Sequence, residues 1–418
     1  MARKMKDSGI EWIGKIPEGW EVTKLKYLAT FPIEKNAHID SPYIGLENIE
    51  SWTGKYVSSD SQYDKSQALT FSRNNILFGK LRPYLAKVFC ASNDGCCSSE
   101  FCILNFSSSV NIRYFWNLLI SPTFIDHVTK STYGTKMPRA NTDFIKNICA
   151  PVPPRIEQDR IALYLDASSA KIDSLISETR SSIEEYKKLK QAVITQAITK
   201  GVRGEREMKD SGVEWIGEIP KEWICEKIKY ATSISRGLFN HRPRNDERYY
   251  NGKYPFIQTG DVANATKYIV SYSQTLNELG KAVSKEFPKG TLTMTIAANV
   301  GDVAILNFDA YFPDSVVGFI PNKNIRTLYL FYVFSSMKDE FTRTAIKSTQ
   351  LNLNIDRVKE TFIPVTLSVN EQCEIENYLE SKCAEIDGLI AKKEQLVKEL
   401  ESYKKSLIYE VVTGKQEV

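Results

Sequence analysis

The sequence predicts an α+β fold with two globular α/β domains, separated by two long antiparallel coiled-coil helices and related by a pseudo-two-fold internal repeat. The first observation is that MKDSGIEWIGKIPEGW at 5–20 returns as MKDSGVEWIGEIPKEW at 208–223. The second is that each copy is followed by a strand-rich segment, and the third is that each of these segments leads into a long amphipathic stretch. A repeat of this length indicates a tandem duplication.

These features divide the chain into four segments. The globular domains are predicted at 1–152 and 208–365, and each begins with its copy of the repeated motif. The helical segments are predicted at 153–207 and 366–418. A chain of 418 residues exceeds the size that one hydrophobic core usually supports, which agrees with more than one domain.

The composition is that of an ordinary globular protein. Charged residues make up 25% of the chain and hydrophobic residues 42%, and Lys+Arg 55 against Asp+Glu 51 leaves a net charge of +4. So small an excess does not identify a nucleic-acid partner, because a binder needs its basic residues on one face. No apolar run approaches the roughly 20 residues of a membrane span, and MARKMKDSG lacks the apolar core of a secretion signal. We therefore expect a cytoplasmic location and no membrane partner.

The first globular segment alternates apolar and polar residues as half-buried strands do. The clearest strand-like runs are 44–57, 75–90 and 99–107. Asn-Asp-Gly at 93–95 indicates a turn between two strands, and 111–128 has helical spacing interrupted near Pro122. We predict one α+β domain with mostly antiparallel strands.

The second globular segment has the same layout with different loops. Its β-rich runs are 255–262, 290–306 and 316–320, and 327–341 has helical spacing. SRNNILFG at 72–79 corresponds to PKGTLTMT at 288–295, and NTDFIKNICAPV at 141–152 corresponds to NIDRVKETFIPV at 354–365. The two domains are therefore predicted to share a scaffold and to differ in the side chains that their loops present.

A long amphipathic helix is predicted after the proline-rich APVPP at 150–154. Apolar residues recur at heptad spacing from Ile161, and Gly201 and Gly204 end the pattern. Residues 368–412 repeat the pattern, and because a helix this long needs a partner, the two are expected to pack together. The predicted packing residues are Leu165, Ile172, Leu175, Tyr186, Leu189, Val193, Leu379, Ile386, Leu389, Leu400 and Leu407.

The sequence offers few catalytic groups. Its three histidines, at 38, 127 and 241, lie in unrelated contexts, without a Ser/His/Asp or H-E-x-x-H arrangement. Residues 9–16 nearly match a phosphate-binding loop, but Ile16 replaces the Ser/Thr and the second copy has Glu218 in place of the lysine. No carboxylate follows Asp314 within roughly twenty residues to complete a metal pair. The eight cysteines are irregularly spaced, which predicts reduced thiols. We expect no catalytic residue, metal or cofactor in this chain.

The remaining polar loops carry residue types that contact DNA, because Arg and Lys fit guanine edges and phosphates while Asn and Gln fit adenine. In the first domain the candidate DNA-binding residues are Lys80, Arg82, Tyr84, Ser98, Ser99, Thr135, Lys136, Arg139 and Asn141. In the second domain they are Arg236, Asn240, Arg242, Arg244, Gln258, Thr259, Thr349, Gln350, Asn352 and Asn354. The alternative, that these are ordinary solvated loops, stays open for each residue.

Several motifs resemble those of one family, the specificity subunit of Type I restriction–modification enzymes. The motifs are KDSGIEWIGKIPEGW (6–20) with its copy at 209–223, YIGLENI (43–49), NNILFGKLRPYL (74–85), CSSEF (97–101), PVPPRIEQDRIALYLD (151–166), GDVAIL (301–306) and FPDSVVGF (312–319). The resemblance extends over essentially the whole chain. The second helix departs from it, since TLSVNEQCEIENYL (366–379) lacks the paired prolines of the first, which leaves its exact start open.

The resemblance implies a function in DNA recognition. Each globular domain would be a target recognition domain that reads one half of a split, asymmetric site in double-stranded DNA, and the helices would be the spacer between half-sites. Two modification subunits would dock on the helices and carry S-adenosylmethionine and the methyl transfer. Two restriction subunits, where present, would add cleavage and translocation with ATP and Mg²⁺.

Two other classes of function stay open. The chain would be an enzyme if it methylated or cut DNA alone, which the lack of donor-binding and metal motifs disfavours. It would be a protein-only scaffold if its domains bound proteins, and a gel shift with random-site DNA and modification subunits would then show no sequence-dependent retention.

Overall fold

The structure is a computed structural model that describes residues 3–35, 42–59, 66–134, 136–344, 346–347 and 351–418. The chain forms two compact units. The first is Met1–Ser181 with Lys393–Val418, and the second is Ser182–Lys392. Each unit therefore contains one globular domain and one part of each long helix.

The repeated motif forms the same small hairpin in both units. Met5–Asp7 pairs antiparallel with Lys15–Pro17, and Met208–Asp210 pairs with Glu218–Pro220. The turn requires Gly14, whose φ of 70° is readily adopted by glycine alone. The tandem repeat seen in the sequence is thus a repeated structure.

A two-stranded ribbon follows each hairpin and closes each globular domain. Glu21–Lys24 pairs with Cys149–Val152 in the first unit, and Ile224–Lys227 pairs with Phe362–Val365 in the second. Both ends of each globular domain therefore lie side by side at the base of the domain.

The first domain contains two small sheets. The four-stranded sheet has the order Ala29–Thr30, Phe101–Phe106, Ile76–Gly79 and Val88–Cys90, and the three-stranded sheet has the order Tyr43–Ile44, Gly95–Cys97 and Leu69–Phe71. The α-helices are Leu25–Leu28, Ile112–Ile120, Pro122–Lys130 and Thr142–Asn147, and the 3₁₀ turns are Leu46–Asn48 and Pro83–Leu85. The pairing is mostly antiparallel and the helical run breaks at Pro122, as predicted. The prediction of a strand over 44–57 was wrong beyond Ile44, because the Asn48 side chain accepts a hydrogen bond from the Gly45 N–H and bends the chain into a 3₁₀ turn.

The second domain is built on a larger sheet. Its five-stranded sheet has the order Thr232–Arg236, Val316–Pro321, Leu292–Thr295, Val303–Leu306 and Tyr268–Ile269, and its four-stranded sheet has the order Gln274–Leu276, Tyr250–Phe256, Ala310–Tyr311 and Glu286–Phe287. The α-helices are Ile228–Ala231, Thr259–Asn264, Glu278–Ala282, Thr327–Ser336, Lys338–Thr344 and Ile355–Glu360, with a 3₁₀ turn at Glu247–Tyr249 and a short strand pair at Ile346–Lys347 and Leu351–Asn352. The predicted β run at 255–262 is a helix in its second half, because the Asp261 carboxylate accepts from the Gln258 N–H and caps the turn.

The two long helices are Arg155–Lys200 and Val369–Val412. In the first unit Lys404 donates to Asp173 at 2.7 Å and Arg180 donates to Glu401 at 2.7 Å. In the second unit Lys190 donates to Asp387 at 2.7 Å. Residue numbers rise along one helix while those of its partners fall along the other, so the helices pack antiparallel.

The apolar seam between the helices is narrower than the predicted stripe. Leu165, Ile172, Leu379, Ile386 and Leu407 are buried, and Tyr186, Val193 and Leu400 are half-buried. The assignment of Leu175, Leu189 and Leu389 to the packed seam was wrong, since all three are exposed.

These three leucines are exposed because the buried apolar residues follow a different spacing along the helix from the predicted one. On the first helix the buried residues run from Ile172 to Ile176 and then to Ile183. One residue turns the helix by about 100°, so Leu175 points to the side of the seam that Ile176 fills. The heptad pattern does not show which of two neighbouring apolar residues is buried. The position of the partner helix determines it.

The helices share a core with the globular domain in the second unit. The buried cluster joins Trp223, Phe319 and Tyr329 of the domain to Ile198 of the first helix and Leu379 of the second. Because protein interiors are close-packed, such a core fixes the domain on its helix pair.

Candidate nucleic-acid interface

Three loops of the first domain that the sequence singled out meet at one edge of the domain. The backbone N–H of Lys80 donates to the carbonyl of Glu100 at 2.8 Å, and the N–H of Ala140 donates to the carbonyl of Lys80 at 2.9 Å. The N–H of Arg82 donates to the carbonyl of Pro138 at 2.7 Å. The backbone thereby brings Lys80, Arg82 and the Ser98–Glu100 turn together with the loop that carries Arg139.

Charged side chains concentrate at this edge. The Arg139 guanidinium forms an ion pair with the Glu100 carboxylate. Burial lowers the pKa of Lys80, and the neighbouring Arg139 guanidinium lowers it further. A lysine that has lost part of its hydration gains more from a new anionic partner, which suits a phosphate contact.

Arg82 is presented by a strained turn. Arg82 and Ala86, at either end of the 3₁₀ turn Pro83–Leu85, have φ of 50° and 49°. Left-handed backbone costs a non-glycine residue of the order of 1–2 kcal/mol, and such strain concentrates at functional sites. The turn leaves Arg82 and Tyr84 exposed.

The other candidates of the first domain differ in what holds them. Lys136 is exposed beside the exposed Met137, and Thr135 lies outside the described residues. Ser98 accepts from the Glu100 N–H at 3.2 Å, and Ser99 is half-buried in the same turn. Asn141 caps the helix Thr142–Asn147 by accepting from the Asp143 N–H at 2.8 Å, so its oxygen has a structural role.

In the second domain three arginines converge on Asp314. Arg244 forms an ion pair with its carboxylate, and the Nη2 of Arg242 lies 3.8 Å from Oδ2. The Nε of Arg236 donates to the Asp314 carbonyl at 2.5 Å. All three arginines are exposed, so they form a basic surface around one acidic centre.

The remaining candidates of the second domain are dispersed. Gln258 donates to Gln274 at 2.9 Å, and Thr259 begins the next helix. Asn240 is exposed in the arginine-bearing loop. Asn354 caps Ile355–Glu360 by accepting from the Asp356 N–H. Asn352 lies in a short strand, and Thr349 and Gln350 lie outside the described residues.

The two domains use the same backbone frame at these loops. The Ile296 N–H donates to the Ser315 carbonyl at 2.9 Å, as the Lys80 N–H does to Glu100. The Leu353 N–H donates to the Ile296 carbonyl at 2.9 Å, as the Ala140 N–H does to Lys80. Lys80 therefore corresponds to Ile296 and Glu100 to Ser315.

The equivalence extends to the backbone conformation. Ala298, at the position of Arg82, is also left-handed, with φ of 63° against 50°. Asn354 and Asn141 are equivalent helix caps. Equivalent positions thus carry Lys, Arg and Glu in the first domain and Ile, Ala and Ser in the second.

Sequence reasoning selected hydrogen-bond donors and missed the carboxylates that organise them. The Ser98–Glu100 turn was a candidate loop, but only its serines were taken as DNA contacts, and Asp314 was weighed only as a metal ligand. The available signal was an acidic residue beside the same turn in both halves, in SSEF and PDSV. Within the described part of the chain no group of three or more acidic, His or Cys side chains is arranged to hold a metal ion.

Comparison with known proteins identifies the family. A family described as "Type I restriction modification DNA specificity domain" matches residues 17–185 and 237–399, which is most of the chain and one match in each half. The chain belongs to this family. It is a specificity subunit of the type I restriction–modification kind, in which DNA sequence recognition rather than catalysis is the role.

Individual relatives agree. The specificity subunit is 25% identical to the MjaVIII specificity subunit of Methanocaldococcus jannaschii over 96% of this chain and 94% of that protein. It is 27% identical to the EcoDI specificity subunit of Escherichia coli, where the match spans 53% of this chain and 51% of that protein. The chain thus matches about half the length of the latter relative.

Solved structures share the fold of the specificity subunit. The crystal structure of the HsdS subunit from Thermoanaerobacter tengcongensis has a TM-score of 0.53 at 18% identity, covering 96% of this chain and 98% of that one. A chain from a study of complex assembly and conformational transition of the type I R-M system has a TM-score of 0.77 at 18% identity, covering 96% and 99%. Among the described helices, none has an apolar stretch long enough to cross a bilayer.

Proposed function

We propose that this specificity subunit reads a bipartite, asymmetric site in double-stranded DNA, with one half-site for each globular domain. The observation that carries the proposal is the shared loop frame with diverged side chains. Arg82 and Glu100 in one domain stand where Ala298 and Ser315 stand in the other. Two domains that share a backbone frame but present different side chains to the bases would select two different half-sites.

The long helices supply the docking surface for two modification subunits, and for two restriction subunits where these are present. In support, both helices carry exposed apolar residues beside their shared seam. Leu175 is 50% exposed on the first helix, and Leu396 and Tyr403 are 43% and 57% exposed on the second. Exposed apolar side chains of this size on a helix pair suit a surface that binds another protein.

The chemistry belongs to those partners in this proposal. S-adenosylmethionine is bound by the modification subunits, and ATP and Mg²⁺ serve the restriction subunits, while this chain binds no cofactor. The complex acts on cytoplasmic DNA.

Mapping methylated adenines across a genome tests the proposal, using cells that express the modification subunits with or without this chain. We expect a two-part motif with a fixed gap, present only with the chain. Random methylation that ignores the chain would contradict the proposal and favour a protein scaffold. Methylation by the purified chain alone would instead show an enzyme.

A further inference from the structure

We propose that Glu100 and Asp314 are positioning residues that orient the base-reading arginines of the two domains, Arg139 in the first and Arg244 in the second. The inference rests on the proposed function and names its specificity determinants. A guanidinium pairs with O6 and N7 of guanine through two parallel hydrogen bonds. The feature that each arginine recognises is therefore the major-groove edge of a G·C pair.

Glu100 is placed to hold Arg139 rather than to touch a base. Its Oε1 accepts from the Nη2 of Arg139. Its Oε2 is buried and has no hydrogen-bond partner among the described residues. A carboxylate with one oxygen engaged and the other shielded cannot reach a base edge, but it fixes the guanidinium in one direction.

Arg139 retains the means to bind DNA. A guanidinium has five N–H donors, and the contact with Glu100 engages Nη2, so further donors remain. The side chain is 40% exposed. Its backbone is fixed as well, because the Arg139 N–H donates to the Tyr133 carbonyl at 3.1 Å. Holding both ends of a long side chain removes much of the entropy cost of binding.

Asp314 has the corresponding role in the second domain. It pairs with Arg244, whose carbonyl accepts from the Tyr250 hydroxyl, so this arginine too is held at both ends. Arg242 is held less closely by Asp314, since its Nη2 lies 3.8 Å from Oδ2 while its Nη1 donates to the Phe239 carbonyl at 2.9 Å. Arg244 is therefore the base-reading arginine that the Asp314 carboxylate orients.

The two carboxylates occupy neighbouring positions of one turn geometry that both domains share. The Phe101 N–H donates to the Ser98 carbonyl and the Val316 N–H to the Pro313 carbonyl, each at 3.0 Å. In this frame Glu100 corresponds to Ser315, so the acid stands one position earlier in the second domain. Consequently, each carboxylate pairs with an arginine from a different loop of its domain. In this proposal the two half-sites are therefore recognised by arginines at different positions of the same scaffold.

The test uses the full chain assembled with its modification subunits and a randomised DNA library, sequenced after methylation. Glu100→Ala is expected to reduce the guanine preference at one position of one half-site by about fivefold to about a hundredfold, the range for a lost bidentate contact. The other half-site stays unchanged. Asp314→Ala is expected to reduce the guanine preference at one position of the other half-site and to leave the first half-site unchanged.

A double substitution separates positioning from direct contact. If Glu100 acts through Arg139, then Glu100→Ala combined with Arg139→Ala has the base preference of Arg139→Ala alone. Additive losses, or equal weakening at every sequence, would overturn the inference. Glu100→Gln keeps an oxygen acceptor for Arg139, so it should select the same base less strongly, and it provides a second variant should Glu100→Ala unfold.

The matched control is Asp126→Ala, which removes an exposed carboxylate paired with Lys130 in the same unit. It should leave both half-sites intact. Failure of the wild-type assembly to select any sequence would defeat the proposed function itself, whereas selection by the wild type with unchanged preference in Glu100→Ala would defeat only the positioning role.

Discussion

Two glutamates, the half-buried Glu157 and the buried Glu371, hold the repeated motif against the long helices. In the second unit Glu371 accepts from the Nε1 of Trp223 at 3.2 Å and from Arg206 at 2.7 Å. In the first unit Glu157 accepts from the Nε1 of Trp20 at 2.9 Å and pairs with Arg3. The second tryptophan of each copy of the repeat, Trp20 or Trp223, thus donates to one carboxylate of a long helix.

Removing the partner of Glu371 should be costly. Arg206→Ala removes the nearer counter-charge of this carboxylate, whose side chain is 2% exposed, and leaves only Arg203 at 3.9 Å. Breaking a buried pair costs about 3–5 kcal/mol, and the loss should lie at the lower end of that range. Urea unfolding of the full chain measures the loss. Lys221→Ala breaks an exposed pair with Glu207 in the same unit and should change stability by less than about 1 kcal/mol. Equal effects of the two substitutions would contradict the anchoring role.

The same site gives an acid-sensitive contribution. Burial alone would raise the pKa of Glu371, but hydrogen bonds from Arg206, Thr366 and Trp223 outweigh it and hold the pKa below its ordinary 4.5. A depressed pKa adds stability above the ordinary value, and this is lost as pH falls through the folded-state pKa. Thermal unfolding of wild type and Glu371→Gln from about pH 7 to about pH 3 should show a larger difference at the upper end. A constant difference would exclude this linkage.

Capping and base reading can be separated at Asn354. Its oxygen accepts from the Asp356 N–H at 2.8 Å, so Asn354→Ala should cost about 1 kcal/mol and Asn354→Asp should retain the cap. The methylated sequence should be the same in both variants. An altered sequence with unchanged stability would show instead that Asn354 reads DNA.

At the scale of elements, the antiparallel helices have two functional faces. The seam face contains Ile386, which is 6% exposed, whereas Leu389, one turn further along, is 36% exposed. Buried apolar residues hold the helices together, and exposed ones are available to another protein.

Matched substitutions on the second helix distinguish these faces. Ile386→Asp places a carboxylate in the seam and should destabilise the chain by at least about 3 kcal/mol. Leu389→Asp should leave the fold intact and weaken assembly with the modification subunits. Circular dichroism melting and sedimentation of the mixture measure the two effects. Unchanged stability in Ile386→Asp would count against a packed seam, and unchanged assembly in Leu389→Asp would remove that residue from the docking surface.

At the scale of the whole molecule, each globular domain is an insertion into a ribbon. Glu21–Lys24 pairs with Cys149–Val152, so the chain enters and leaves the first domain at adjacent points. The second domain is attached in the same way through Ile224–Lys227 and Phe362–Val365. Such an attachment allows one domain to be replaced while its anchor is kept.

Exchange of 25–148 for the matching segment of another family member should therefore change one half-site and leave the other, together with the assembly, intact. Methylation mapping of the chimera measures both half-sites at once. A chimera with the second domain exchanged, between its own ribbon strands, is the matched control and should change the opposite half-site. Loss of both specificities from a single exchange would contradict independent readers.

The sequence by itself determined the duplication, the two strand-rich domains and the two long helices, because these depend on patterns repeated over many residues. The extent of the first helix followed from APVPP and Gly201, and the break at Pro122 followed from the missing N–H of proline. The loops that carry Lys80, Arg82 and Arg139 were selected as candidates from residue type alone, and the structure brings them to one edge of the first domain.

Only the tertiary structure decided which neighbours those residues have. Ile176 rather than Leu175 fills the seam between the helices, because the position of the partner helix determines which side of the first helix is buried. The apolar periodicity of the sequence does not determine that side. Glu100 pairs with Arg139 because strand pairing and turns bring distant segments to one edge. Local sequence patterns encode the helices and strands of this chain. The candidate base-reading side chains are brought together by contacts between residues far apart in sequence.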